Sequence, residues 1–278
     1  MPHIGLIVTG PEALADFRMF CNTLEVWHPD AHLYVYTDSV TPVASVPFKG
    51  TLRVQIALDL YKGLSRAEME RRKGVLYDTL FKDYTYEKAN VLDWMWEINP
   101  TLTGAWFLDA DITLLAPLPV IPEGTTLALS PHGINVADER RYGKYNAGFF
   151  WMNDQRLLSA WRAFGFTSRF FEQAALEDLA SLPTVTLHEF GPQVNFGWWR
   201  MYQNQLTSGE IQGRFSIHRA DTSIGIRYLG APLQSIHTHW GQSAHVTGAF
   251  NAWMRTFLRR VASHAPVARF LRAIGGAP

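Results

Sequence analysis

Residues 106–119 read WFLDADITLLAPLP. Trp106, Phe107 and Leu108 have the bulk and length of a buried strand, and the run ends abruptly in two carboxylates, Asp109 and Asp111. Open α/β sheets bind ligands outside the carboxyl ends of their strands, and that is the edge on which these aspartates fall. Separated only by the small Ala110, they can converge on a hard divalent cation if the backbone turns between them. The plain alternative is a strand end whose aspartates cap the next turn.

Upstream, strands and helices alternate. Residues 4–8 form a short apolar run ended by Gly10 and Pro11, and residues 11–26 carry Leu14, Phe17, Phe20 and Leu24 at helical spacing. Residues 33–37 alternate like a strand, so Thr9 and Asp38 both fall at strand ends on the ligand-binding edge. Residues 53–58 read as a third strand, Ser65 with Glu68 as a capping box, and residues 84–98 as a long helix carrying Lys88. The first part of the chain is therefore expected to form a parallel, helix-covered sheet.

Beyond the aspartates, residues 125–130 and 146–152 read as strands. The polar segment 131–144 between them reads as a loop whose Arg140, Arg141 and Lys144 either reach an anionic ligand or are simply solvated. Residues 154–164, 169–182 and 192–202 are expected to be helical, and 185–190, 226–229 and 234–239 strand-like. Helices over 250–261 and 266–274 close the chain. No internal repeat, low-complexity tract or linker interrupts it, so any boundary near Asp111 divides one unit by function.

Composition excludes several classes. With 278 residues and 47% hydrophobic content the chain can bury a sizeable core. Basic and acidic residues balance at 25 each, so no net field points to nucleic acid and any anion site must be local. The single Cys21 excludes an intramolecular disulfide, and MPHIGLIVTG turns polar too soon for a signal peptide, so a cytoplasmic setting is expected. No apolar run reaches the ~18 residues that span a bilayer.

Two further segments carry chemistry. His237 and His239 alternate with Thr238 and should share one face of their strand. One imidazole with two aspartates makes a mixed nitrogen and oxygen set that suits Mn²⁺ better than Ca²⁺. Residues 145–153, YNAGFFWMN, place Asn146 and the small Ala147 and Gly148 ahead of an apolar strand, where a ligand can approach the backbone.

The order of these pieces resembles the GT-A-fold glycosyltransferases. They are a β-α-β opening, an apolar strand ending in D-x-D, an Asn-Ala-Gly-Phe segment about 35 residues later, a Gln-x-Asn segment and a late His-x-x-Trp. The likeness is greatest to nucleotide-diphospho-sugar transferases and covers roughly residues 4–240. It implies a Rossmann-like, mostly parallel central sheet flanked by helices, a second smaller mixed sheet and C-terminal helices. Within a single catalytic domain it implies a nucleotide-binding half (1–111), a sugar and acceptor half (112–245) and a C-terminal helical part (246–278).

The resemblance also implies an activity: metal-dependent transfer of a sugar from a nucleotide sugar, with UDP-sugars and a retaining course favoured, to a glycan or other hydroxyl acceptor. Asp109, Asp111 and His237 correspond to the ligands of Mn²⁺ or Mg²⁺. Thr9, Asp38 and Lys88 match donor-binding positions, as do Asn146 and Gly148 for the sugar. Gln193 falls where retaining members place a side chain below the anomeric carbon, and Asp111 is carried over with it as catalytic. The chain departs from the pattern at Pro192, where relatives usually have an aspartate. It also has no lysine beyond Lys144, which leaves His245, Arg255 or the Arg140/Arg141 segment to meet the diphosphate.

Other readings make different demands. WFLDADITLL also fits the start of haloacid-dehalogenase-like phosphohydrolases, in which the first aspartate is a phosphoryl nucleophile, but those need a later acidic pair that is not evident. A non-catalytic sugar-binding scaffold would use the ten Trp and ten Tyr for stacking. Finally, Val267, Phe270, Leu271 and Ile274 line one face of the last helix. That face either packs on the catalytic unit or makes a peripheral contact with the inner leaflet of a membrane, aided by Arg255, Arg259 and Arg260.

Overall fold

The structure is a computed structural model that describes residues 1–218, 225–241 and 245–260. Strand β1 (His3–Val8) feeds helix α1 (Gly10–Trp27), whose start is set by Gly10 at φ +80° and by proline at its first turn. Next come β2 (His32–Thr37), β3 (Thr51–Ile56) and the short α2 (Arg66–Arg71), which opens with the Ser65/Glu68 capping box expected from the sequence. Helix α3 (Leu80–Ile98) crosses back to β4 (Ala105–Leu108), which is buried at all four positions. The chain continues through β5 (Ile112–Leu114), β6 (Leu127–Pro131), α4 (Val136–Tyr142), β7 (Tyr145–Met152), α5 (Arg156–Gly165), α6 (Phe171–Ala180) and β8 (Leu187–Glu189). It ends in β9 (Phe196–Gly197), α7 (Ser208–Gln212), β10 (Phe215–Ile217), β11 (Ile226–Tyr228), β12 (Ala231–Pro232), β13 (Ser235–His237) and α8 (His245–Arg259).

A seven-stranded sheet in the order β3-β2-β1-β4-β7-β6-β8 forms the centre. Its pairs are parallel except for the two made by β7, which runs antiparallel to β4 and β6. One core cluster packs Phe107, Phe150 and Trp161 under α3, α5 and α6; another packs Phe17, Phe20 and Leu33 under α1. Because β1 pairs with β2 on one side and β4 on the other, the strand order reverses there, and a crevice opens outside the carboxyl ends of β1 and β4. A mixed three-stranded sheet, β5-β13-β9, sits beside that crevice, and β10-β11-β12 form a small antiparallel sheet.

Three local expectations are corrected. Residues 131–144 are not a loop: they hold α4, capped by Asn135 accepting from the Asp138 N–H, with Asp138 and Glu139 in its first turn and Arg140 and Arg141 in its last. It has no buried residue, so its sequence shows no apolar stripe. Residues 192–202 are not one helix: Phe196 pairs in register with Ile236, and only Trp198–Met201 make a tight 3₁₀ turn. Strand β5, hidden in the continuous apolar run after Asp111, is a separate element. The 266–274 helix and its amphipathic face lie outside the described residues. Among the described residues no helix is long and apolar enough to cross a membrane.

Candidate metal centre and cavity

Two strand registers assemble the centre. Leu108 of β4 stands opposite Phe149 of β7, and one residue further the Asp109 N–H donates to the Gly148 carbonyl at 2.8 Å, which fixes Asp109 at the sheet edge. The chain then turns, with the Ile112 N–H bonding the Asp109 carbonyl, and enters β5. There Ile112 stands opposite His237 of β13, and the Thr238 N–H donates to the Asp111 carbonyl at 3.0 Å. Residues more than a hundred positions apart in sequence are thus brought side by side. One oxygen from each aspartate and one nitrogen of His237 all lie within 4.8 Å of one another.

His237 Nε2 is 3.1 Å from Asp111 Oδ1 and 3.8 Å from Asp109 Oδ2. Gly148 makes this approach possible, because a Cβ there would overlap Oδ2 of Asp109 and lie 2.6 Å from Cε1 of His237. Two convergent carboxylates and an imidazole in a cradle that a methyl group would fill are a donor set that fits a divalent cation. Trp240, the last residue of the His-x-x-Trp pattern, braces the centre from behind: its indole N–H donates to Thr113 Oγ1 of β5 at 2.6 Å.

The charges around the cluster are unequal. Burial pushes the Asp109 carboxyl up, opposed by Lys88 and reinforced by Asp111. Burial also works against ionised Asp111, but the charge and hydrogen bond of His237, with His239 adding, outweigh it and hold Asp111 well below the usual carboxylate range. Lys88 is buried between Asp109 Oδ1 at 3.2 Å and Glu172 Oε1 at 3.0 Å and donates to the Ala147 carbonyl. Burial would lower its pKa, yet the two carboxylates hold it above the ordinary value. His239 bonds Asp16 at 2.7 Å and faces Asp111 Oδ2 at 3.5 Å; the Asp16 hydrogen bond lifts it to about 9, against burial.

The cluster forms part of the wall of a cavity of about 490 Å³. Lys88, Glu172, Arg66 and His239 also line it, with Phe171 and Trp198 among its apolar surfaces. The Arg66 guanidinium lies over the rings of Phe81 and Phe171. Phe171 itself has φ 41°, a left-handed conformation that costs a bulky residue energy and is met mainly at functional sites. A second hollow of about 320 Å³ lies beside Thr9, Tyr61 and Ser65. The two are linked by Tyr84, a wall of the large cavity, whose hydroxyl bonds Thr9 Oγ1 at 3.2 Å and whose ring meets Tyr61 edge-on.

Of the residues singled out from sequence, the structure brings together Asp109, Asp111, His237, Lys88 and Gly148. Thr9 lies at the neighbouring hollow. Asp38 is buried, its carboxylate accepting from the Val40 and Thr41 N–H groups and from Thr41 Oγ1. The Asn146 amide faces the protein interior. Gln193 does not reach the cavity wall: its side chain folds back over Gly191, where a Cβ would overlap it. Of the basic candidates for the missing lysine, Arg255 is stacked on Trp240 and bonds its carbonyl, while Arg141 lies over Tyr142. The side chain of His245 lies outside the described residues. Glu172, Arg66 and Asp16 carry no signal in the sequence, because each sits in a helical stretch at a position where a charged side chain facing water is expected.

No protein-family profile matches the chain, and no curated protein matches it in sequence. Solved structures do match its shape. The galactosyltransferase LgtC in complex with donor and acceptor sugar analogs superposes with a TM-score of 0.52 at 14% identity, over 98% of this chain and 95% of that one. The apo form of the glycosyltransferase GlyE from Streptococcus pneumoniae TIGR4 superposes with a TM-score of 0.54 at 11% identity, over 99% of this chain but 63% of GlyE. The chain therefore has the GT-A glycosyltransferase fold, and its Asp-Asp-His cluster is compatible with a D-x-D metal site.

Proposed function

We propose that the protein is a metal-dependent glycosyltransferase that moves a sugar from a nucleoside-diphosphate donor, a UDP-sugar in the first instance, to a hydroxyl of a glycan or similar acceptor. The observation that carries this reading is the convergence of Asp109, Asp111 and His237 at the carboxyl edge of a GT-A sheet, on the wall of a cavity large enough for a sugar nucleotide. Mn²⁺ or Mg²⁺ held there would neutralise the negative charge that develops on the departing diphosphate.

The chain's own residues divide the remaining work. The hollow beside Thr9 takes the nucleoside, and the cationic groups Arg66 and His239 on the cavity wall attract the diphosphate, where the resemblance led one to expect a lysine. Glu172 offers an acceptor to the hydroxyls of the transferred sugar and supplies the carboxylate that Pro192 cannot, held in place by Lys88, whose three N–H donors are taken by Glu172, Asp109 and the Ala147 carbonyl. The apolar surfaces of Phe171 and Trp198 suit the flat face of an acceptor sugar ring.

A thermal-shift panel of nucleoside diphosphates with and without Mn²⁺ tests the reading, since a ligand at ~100 times its Kd adds ~2.7 kcal/mol of stability. A shift that needs both nucleotide and metal is expected. Absence of any metal-dependent shift across the four bases would overturn it, as would Mg²⁺-dependent release of phosphate from an aryl phosphate abolished by Asp109→Asn.

A further inference from the structure

Behind His237 the protein interior holds a chain of four polar side chains, His237, Asn195, Asn146 and His132, each more than nine-tenths buried. His237 Nδ1 lies 3.2 Å from Asn195 Oδ1, Asn195 Nδ2 lies 3.0 Å from Asn146 Oδ1, and Asn146 Nδ2 lies 3.4 Å from His132 Nε2. His132 Nδ1 ends the chain 2.9 Å from the Gly143 carbonyl. Trp199 is wedged against both imidazoles, edge-on to His132 at 5.7 Å and to His237 at 5.0 Å, and its N–H bonds the His132 carbonyl.

The direction of every bond in this chain follows from its two backbone contacts. A carbonyl oxygen only accepts, so His132 carries its proton on Nδ1 and leaves Nε2 free to accept from the Asn146 amide. The Gly148 N–H, 3.1 Å from Asn146 Oδ1, can only donate, which fixes the same orientation of Asn146 independently. Asn146 Oδ1 must then accept from Asn195 Nδ2, so that Asn195 Oδ1 is turned toward His237 and can only accept from Nδ1. Reversing Asn195 would set its oxygen against Asn146 Oδ1 in a dry interior and leave that oxygen without a donor. Burial supports this order, since it lowers the His132 pKa to about 4 and keeps that ring neutral.

We propose that Asn195, Asn146 and His132 are positioning residues, a polarised hydrogen-bond relay that holds a proton of His237 on Nδ1, so that Nε2, which faces Asp111 in the metal-free protein, is the nitrogen that gives up its proton to ligate the cation. The proposal rests on the metal reading of the cluster given above, but the position of the proton is a property of the protein alone. Without the relay, the Asp111 oxygen 3.1 Å from Nε2 is the stronger acceptor and would draw the proton of a neutral ring to the nitrogen that must ligate. Asn146, which by position belongs with the sugar segment, is thereby given a role one layer behind it.

The test combines ¹⁵N-edited NMR of the histidine rings with calorimetric titration of Mn²⁺ alone. In the wild type, metal-free and with diamagnetic Mg²⁺, protected Nδ1–H signals are expected for both His237 and His132. Asn195→Leu keeps the branched shape of the side chain but removes both hydrogen bonds. It is expected to lose the protected His237 signal, retain that of His132 and bind Mn²⁺ 10–100-fold more weakly. A residue that merely fills space would leave the His237 proton and the Mn²⁺ affinity unchanged in this variant. The proposal is overturned by a His237 proton found on Nε2 alone in the wild type, or by Asn195→Leu binding Mn²⁺ within twofold of wild type. Should Asn195→Leu not fold, the wild-type proton assignment decides alone. A wild type that binds no Mn²⁺ while keeping its Nδ1 proton sinks the metal reading and leaves the relay standing.

Discussion

Gly148 and Asp109 face each other across the β4–β7 pair so closely that any side chain at position 148 must displace its neighbours: a Cβ there would overlap a carboxylate oxygen of Asp109 and press on His237. Gly148→Ala is therefore expected to displace two of the three metal ligands at once. Calorimetry should show at least a tenfold loss of Mn²⁺ affinity, and urea denaturation an overpacking cost of roughly 1–3 kcal/mol. An alanine variant with unchanged Mn²⁺ binding would show that the ligands need not converge as the structure places them.

The aspartates separate metal binding from folding. Asp109 is held above the ordinary carboxylate range by burial, so ionising it costs the metal-free protein, and Lys88 keeps Glu172 as a partner if Asp109 is neutralised. Asp109→Asn should keep its Tm within about 4 °C of wild type, a change of order 1 kcal/mol, yet lose Mn²⁺-dependent nucleoside-diphosphate binding. Full retention of that binding would remove Asp109 from the metal site.

Much of this centre could be read from the chain because its parts carry local signals. An apolar strand ending in D-x-D announces a sheet edge, and the His-x-x-Trp pattern that ends at Trp240 singles out His237 over His239. The structure groups His237 with the two aspartates, whereas His239 is turned to Asp16 on α1. The remainder depends on contacts distant in sequence. Glu172 looks like any acidic residue in the first turn of a helix, and only the packing of α6 on α3 buries it against Lys88. Residues 192–202 have helical apolar spacing, but pairing of Phe196 with β13 takes precedence over it. The smallness of Gly148 reads from the sequence as room for a ligand, but the neighbours that require it are Asp109 and His237.

His132 makes stability depend on pH. Burial, with Arg200 and His237 pushing the same way against the Gly143 carbonyl bond, lowers its pKa from 6.5 to about 4 in the folded state. Between those values the unfolded chain binds a proton that the folded chain does not, so this contribution is complete above pH 6.5 and is lost as pH falls toward 4. Across the full window the shift corresponds to a loss of about 3 kcal/mol. Urea unfolding of the metal-free protein between pH 7.5 and 5 should show this decline, and His132→Gln should flatten it. An equal slope in wild type and variant would assign the decline to other groups.

Lys88 stands between two carboxylates, the partly exposed Asp109 and Glu172, which at 5% exposed has little solvent to fall back on. Replacing it by methionine keeps an unbranched apolar side chain in place but removes the ammonium that lies over the Phe107 ring and leaves both acids without their shared cation. Such a loss typically costs 3–5 kcal/mol, because what remains is an unpaired buried charge. Lys88→Met alone should therefore be strongly destabilising by urea denaturation, and Glu172→Gln alone less so. The double variant should be more stable than the sum of the two, with a coupling of order 1–3 kcal/mol. In transfer assays Glu172→Gln should raise KM for the sugar nucleotide while leaving the affinity for the free nucleoside diphosphate unchanged, since only the donor carries the hydroxyls that Glu172 would meet. Additive stabilities would mean that the pair is not coupled, and parallel losses of donor and nucleoside-diphosphate affinity would place Glu172 in support of the metal cluster instead.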